Sequence, residues 1–216
     1  MGGLVLRYFR RGIIEPGFGR ERLRRLTAIG DGGMIMAEIA SDVPKSNQTI
    51  LGLYVTPREA YEMWKADREG VTILDVRTLE EYVFVGHPEK ARNVPLSFPV
   101  FKRVADVPTQ AGAAGPPPGF KVKPNPDFVS AVQKVCAPTD KILVLCGSGG
   151  RAAMAVNTLA QAGFTNVYNV LNGFEGEMVT DRTSADFGKS MKNGWKDAGL
   201  PWGRNLDPDL MWENAR

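Results

Sequence analysis

Residues Cys146 to Arg151, Cys-Gly-Ser-Gly-Gly-Arg, bring a thiol, three glycines and a guanidinium into one short run. Glycines let the backbone curl tightly, so several N–H groups can converge on one point, and Arg151 adds a fixed positive charge. Before the run stands Lys141-Ile-Leu-Val-Leu145, whose four consecutive aliphatics predict a strand buried on both faces. After it, Arg151 to Ala162 is Ala-rich with strong helix propensity and stops at Gly163, a natural C-terminal cap. Cys146 is therefore expected between the carboxyl end of a buried strand and the amino end of a helix, the crevice where open α/β sheets collect ligands. There the helix dipole, the loop N–H groups and Arg151 stabilise an anion and favour thiolate over thiol. The expected chemistry is nucleophilic, with Cys146 as the attacking atom.

Other readings of the same residues fit less well. A cysteine at a buried strand end often serves only as a small hydrophobe, but the glycine-arginine loop behind Cys146 then has no purpose. Gly147, Gly149 and Ala152 also match the G-x-G-x-x-A pattern of dinucleotide sites. That pattern needs an acidic residue about 20 positions on, at the end of the next strand. The next strand is Val167 to Leu171, and Asn172 follows it. Ser148 is not a nucleophile elbow, because Cys146 stands where G-x-S-x-G requires glycine.

The run Cys146-Gly-Ser-Gly-Gly-Arg151 resembles the active-site loop C-x-x-G-x-R of the rhodanese-type sulfurtransferases. Leu74-Asp75-Val76-Arg77 with Glu81-Tyr82 is similar to that family's D-V-R…E-[YF] element. Gly86-His87 and Asn93-Val94-Pro95-Leu96 resemble its G-H-I-P-G-A-x-N-I-P stretch, and Asn193-Gly194-Trp195 with Ala198-Gly-Leu-Pro201 its C-terminal G-W…G-L-P. The resemblance covers roughly residues 53–204, in order. It implies a single-domain enzyme in which Cys146 takes a sulfane sulfur from a donor such as thiosulfate, holds it as a persulfide, and passes it to cyanide or a thiol. Gly147, Ser148, Gly149, Gly150 and Arg151 would form the persulfide-binding loop, with Ser148 an extra donor. Asp75, Arg77 and Glu81 would tie the strand end to the following loops by ion pairs, and His87 would shape a turn. No metal or organic cofactor is implied. The partners are small-molecule sulfur donors and acceptors, with a protein sulfur acceptor as an alternative. A rival class is the cysteine phosphatases and arsenate reductases, whose loops resemble C-x5-R. Here only four residues separate Cys146 from Arg151, a narrower cradle that suits one sulfur atom. A non-catalytic rhodanese binding module is the third reading, and the presence of Cys146 speaks against it. Gly147 stands where many thiosulfate-using relatives carry a larger or charged residue, which leaves Arg151 as the only charge in the loop.

Composition bounds the rest. The chain has 216 residues, 43% hydrophobic and 24% charged, ordinary values for one globular domain. Its net charge of +3 is unevenly spread. Met1 to Arg25 carries Arg7, Arg10, Arg11, Arg20, Arg22, Arg24 and Arg25 against Glu15 and Glu21, and the remainder is slightly acidic. A near-neutral body does not suggest nucleic-acid binding, and although Trp195, Trp202 and Trp212 interleave with Lys189, Lys192 and Lys196, the tryptophans are expected to pack the tail onto the domain. Two cysteines and one histidine exclude a zinc site built from Cys and His alone. Cys136 and Cys146 are expected as free thiols in a reducing compartment, which points to the cytoplasm, with export as the alternative suggested by the C-terminal pattern. No apolar run approaches the ~20 residues of a membrane span.

These elements predict a three-layer α/β domain, a mostly parallel sheet of about five strands with helices on both faces. Residues 1–50 read as a poorly ordered Arg-rich extension with Met34 or Met36 as alternative starts, 51–204 as the domain, and 205–216 as a tail. Strands are expected over Leu51–Val55, Val71–Val76 and Arg92–Ser97. Thr56-Pro-Arg-Glu59 is a capping box opening a helix to about Glu69, and Thr78-Leu-Glu-Glu81 opens a short helix to about Val85. Residues 98–126 hold a Pro/Gly/Ala tract unable to form a helix or central strand, an insertion flanked by Lys102, Arg103, Lys121 and Lys123. A helix over Phe128–Cys136, capped by Asn125-Pro-Asp127, makes Cys136 a packing residue.

Overall fold

The computed structural model describes residues 43–101 and 120–212. The arginine-rich start with Met34 and Met36, the tract containing Lys102 and Arg103, and residues 213–216 lie outside the described residues. In chain order the elements are β1 (Tyr54–Val55), α1 (Pro57–Ala66), β2 (Val71–Asp75), β3 (His87–Pro88), β4 (Arg92–Asn93), β5 (Ser97–Phe101), β6 (Phe120–Pro124) and α2 (Phe128–Gln133). They continue with β7 (Lys141–Leu145), α3 (Gly150–Gln161), β8 (Val167–Val170), β9 (Glu177–Met178), β10 (Ser190–Lys192) and β11 (Trp202–Gly203).

Five strands form one parallel sheet in the order β1-β8-β7-β2-β4. The aliphatic run of β7 lies at its centre, and because side chains alternate across a strand, it feeds two cores. Ile142 and Val144 pack with Phe128 and Val132 of α2 and with Ala152, Ala155, Val156 and Leu159 of α3. Leu143 and Leu145 pack on the opposite side with Ala60 and Trp64 of α1. The fold is the expected three-layer α/β arrangement. Each fully buried aliphatic of β7 stabilises it by about 1.5–3 kcal/mol relative to exposure.

Local chemistry explains most boundaries. Thr56 Oγ1 accepts from Glu59 N, and the Glu59 carboxylate accepts from Thr56 N at 2.7 Å, so α1 opens on the expected capping box. The helix stops at Ala66, short of Glu69, because Asp67 leaves helical geometry and its carboxylate accepts from Gly70 N at 2.9 Å. The strand expected from Leu51 is only Tyr54–Val55, since a turn with Gly52 at φ 63° consumes the preceding residues. The segment expected as one strand from Arg92 to Ser97 divides instead. Arg92–Asn93 pair with β2, and after Pro95 the chain leaves the sheet to form an antiparallel ribbon of β5 with β6. The short helix after Thr78 is a single π-helical turn, Glu81–Val85, with the Thr78–Glu81 reciprocal bonds in place. Gly86, at φ 94°, ends it. Helix α2 ends at Gln133; Cys136 is buried as expected, whereas Val135 is exposed.

Residues 43–50 belong to the packed structure. A 3-10 turn, Lys45–Asn47, lies against α3, where Asn157 Oδ1 accepts from Ile50 N at 2.7 Å. Near the other end, Trp195 is buried with its indole N–H donating to the Pro201 carbonyl, and Trp202 stands edge-on to Phe174. Among the described residues no helix is long and apolar enough to cross a membrane.

Candidate functional site

Strand β7 delivers Cys146 to the carboxyl edge of the sheet, and α3 begins four residues later. Cys146 is buried, and the N–H of Gly149 donates to its Sγ at 3.1 Å. Gly149 reaches that position in left-handed geometry, φ 100° and ψ −24°. A β-carbon there would also press on the Asn47 amide at 3.2 Å and on Asn172 N at 3.3 Å. The sulfur therefore faces the amino terminus of a 12-residue helix, whose dipole and free N–H groups favour negative charge. Gly147 and Gly149 are buried, while Ser148 is exposed and makes no side-chain hydrogen bond among the described residues.

A second loop, Asn172 to Gly176, supports the first from behind. Phe174 N donates to the Cys146 carbonyl at 2.7 Å, and Glu175 N and Gly176 N donate to the Gly147 carbonyl at 2.9 and 3.2 Å. The carbonyls of Cys146 and Gly147 are thereby engaged, which fixes the start of the loop. Phe174 is fully buried, with the Arg77 guanidinium 4.3 Å above its ring.

Two ion pairs brace the strand ends. Asp75 and Arg77 have no exposed surface, and Arg77 Nη2 donates to Asp75 Oδ2 at 2.6 Å and to the Gly86 carbonyl at 2.7 Å. Asn93 Nδ2 donates to the carbonyls of both residues, locking β4 to β2. Burial works against the Arg77 charge, but the Asp75 carboxylate outweighs it and raises the Arg77 pKa. In the second pair, Arg151 Nη1 and Nη2 each donate to one oxygen of Glu81 at 2.6 Å. This fork raises the Arg151 pKa against the pull of burial. On the Glu81 side, burial pushes the carboxyl upward, yet bonds from Arg151 and from Thr78 N hold it below the ordinary carboxylate range.

The structure thus gathers Cys146, its glycine loop, Arg151 and Glu81 at one end of the sheet. Asp75 and Arg77 adjoin them, because Asp75 pairs in register with Leu145. Glu81 pairs with Arg151 and not within the Asp75–Arg77 cluster. His87 lies in the β3–β11 ribbon, stacked on Tyr82 at 3.7 Å with Nδ1 beside the Pro88 carbonyl. Three further residues lie near the cradle that the sequence did not single out as site residues. Asn47 touches the loop at Gly149 and Gly150. Glu175 Oε1 lies 3.3 Å from where a β-carbon on Gly147 would stand. Lys196 Nζ donates to the Val85 carbonyl and lies 4.8 and 4.3 Å from the Phe174 and Trp202 ring centres. Desolvation lowers its pKa, with Glu175 acting in the opposite sense.

A family model described as "Rhodanese-like domain" matches residues 56–177, more than half of the chain. "Senescence-associated protein DIN1" of Raphanus sativus is 33% identical over 140 residues, 65% of this chain and 60% of that protein, so the match leaves part of the relative uncovered. "Thiosulfate sulfurtransferase 16, chloroplastic" of Arabidopsis thaliana is 36% identical over 105 residues, covering 49% of this chain and 72% of the relative. Among solved structures, Rv0390 from M. tuberculosis superposes with a TM-score of 0.51 at 27% identity, covering 70% of this chain and 99% of that one.

Proposed function

Because this chain belongs to the rhodanese-like domain family, we propose that it is a sulfurtransferase in which Cys146 carries the sulfur. In the first half-reaction the Cys146 thiolate attacks the outer sulfur of thiosulfate. The new bond joins Sγ to that sulfur, the S–S bond of the donor breaks, and sulfite leaves with the electron pair. In the second half-reaction cyanide, or a thiolate of a small molecule or a protein, attacks the terminal sulfur and regenerates Cys146. The single observation that supports this reading is the Gly149 N–H donating to Sγ at 3.1 Å at the head of α3, a position that would also hold an anionic persulfide. Gly147 to Arg151 form the cradle, while Asp75, Arg77 and Glu81 hold its supports in place.

Intact-mass measurement after thiosulfate tests the proposal. Wild-type protein is expected to gain one sulfur, about 32 Da, which cyanide removes as thiocyanate. Cys146→Ser should gain nothing. Failure of the wild type to take sulfur from thiosulfate or from inorganic polysulfide would sink the proposal, and turnover of a phosphate or arsenate substrate would replace it. Both cysteines are free thiols, which supports a cytoplasmic site of action; finding the protein outside the cytoplasm on cell fractionation would overturn that part.

A further inference from the structure

Two ion pairs take up most of the charge around the cradle. The two arms of Arg151 are taken by Glu81, and Arg77 is paired with Asp75. The Glu175 carboxylate, by contrast, is half-buried and has no hydrogen bond or ion pair among the described residues. Its backbone N–H is tied to the Gly147 carbonyl at 2.9 Å, so the residue is anchored to the catalytic loop. Its Oε1 lies 3.3 Å from where a β-carbon on Gly147 would stand, with Arg151 Nη2 3.5 Å from the same point. A β-carbon there would meet this carboxylate in a tight contact. Arg77 and Lys196 also act on this carboxylate electrostatically, but Arg77 is paired with Asp75, and Lys196 is held to the Val85 carbonyl and lies on the faces of Phe174 and Trp202.

We infer that Glu175 determines acceptor specificity by charge: it disfavours thiol acceptors bearing a carboxylate at the Cys146 persulfide and favours acceptors bearing an ammonium group next to the sulfur, the aminothiols. The inference rests on the sulfurtransferase reading and names the substrate class of that same site. A carboxylate anchored beside Gly147, the residue that follows the reacting cysteine, in a partly buried site, changes the relative rates of a cationic and an anionic partner by about tenfold or more. Since Glu175 acts on the partner's charge and not on the sulfur, a neutral thiol should be indifferent to it.

The experiment uses full-length protein loaded with sulfur from inorganic polysulfide and confirmed by mass. Discharge is timed with cysteamine, 2-mercaptoethanol and 3-mercaptopropionate, compared at equal thiolate concentration, for wild type, Glu175→Gln and Glu175→Asp. The expected wild-type preference for cysteamine over 3-mercaptopropionate is about tenfold or more, shrinking to within about twofold in Glu175→Gln. Glu175→Asp, which keeps the charge, should retain most of it, and 2-mercaptoethanol should change by less than about twofold in either variant. An unchanged ratio in a Glu175→Gln protein that still loads sulfur overturns this inference alone. Absence of any persulfide in the wild type overturns the sulfurtransferase reading, and this inference with it. If Glu175→Gln slows all three thiols equally, its role is structural and the charge filter is wrong.

Discussion

A β-carbon on Gly173 would collide with the carbonyl oxygen of Cys146 and come within 2.9 Å of its carbonyl carbon. Gly173 also sits at φ 56°, where a side chain is strained in any surroundings. The two loops thus meet backbone on backbone, and the curvature of the cradle depends on a missing side chain one loop away. Gly173→Ala is expected to destabilise the protein by more than about 2 kcal/mol and to abolish sulfur loading at temperatures where it remains folded. Urea unfolding and the mass assay check the two parts separately; near-normal stability and loading would show that the loops are not coupled here.

The Asp75–Arg77 pair has no access to water, so neither charge survives alone. Asp75→Asn or Arg77→Met is expected to cost about 3–5 kcal/mol, because each leaves an uncompensated partner. Replacing both, Asp75→Asn with Arg77→Met, should cost less than the sum of the single losses. A double-mutant cycle by urea unfolding measures the difference, and additive losses would contradict the pairing.

Glu81 ties stability to acid pH. Its folded-state pKa lies below the ordinary carboxylate value, so its contribution is full above about pH 4.5 and is lost as pH falls through the depressed value. The stability gap between wild type and Glu81→Gln should therefore be large near pH 7 and should shrink as pH drops below about 4.5. Denaturant melts at a series of pH values read this gap directly. A gap that does not change with pH would mean that the Arg151 fork contributes nothing through charge.

The two cysteines should behave differently. Cys136 is a packing residue of the core beside α2 and α3, and burial pushes its thiol pKa up. Cys136→Ala is expected to cost about 1 kcal/mol and to leave sulfur loading intact, whereas Cys146→Ser abolishes loading. Mass spectra of both variants after thiosulfate suffice, and sulfur found on Cys136 would refute the assignment.

The sequence made β7, the cradle and α3 legible because each is coded locally. A run of aliphatics specifies a doubly buried strand, and glycines followed by alanines specify a turn into a helix. The capping boxes at Thr56 and Thr78 were equally readable, since each needs only four residues. The π-helical turn at Glu81 was not, because the residues that start an α-helix also start a wider turn, and the site of its end depends on the packing of Trp202 against Gly86. Asn47 and Glu175 escaped for a related reason. Each lies on a loop without periodicity, and its place beside the cradle comes from contacts with Asn169 and Gly147, distant in sequence. Glu81 was recognised as an ion-pair residue, but its partner, 70 positions away, could be known only from the fold.

The ribbon of β5 and β6 brings Phe101 directly opposite Phe120. The Pro- and Gly-rich tract between them therefore leaves and re-enters the domain at a single doorway. Closing a longer or shorter tract across a fixed gap changes the free energy only logarithmically, about 0.6 kcal/mol per doubling. The domain consequently has a graft point on its surface. Natural or engineered sequence can be exchanged there, as cargo or tag, while the register from Ser97–Pro124 to Phe101–Phe120 holds the ribbon below it unchanged.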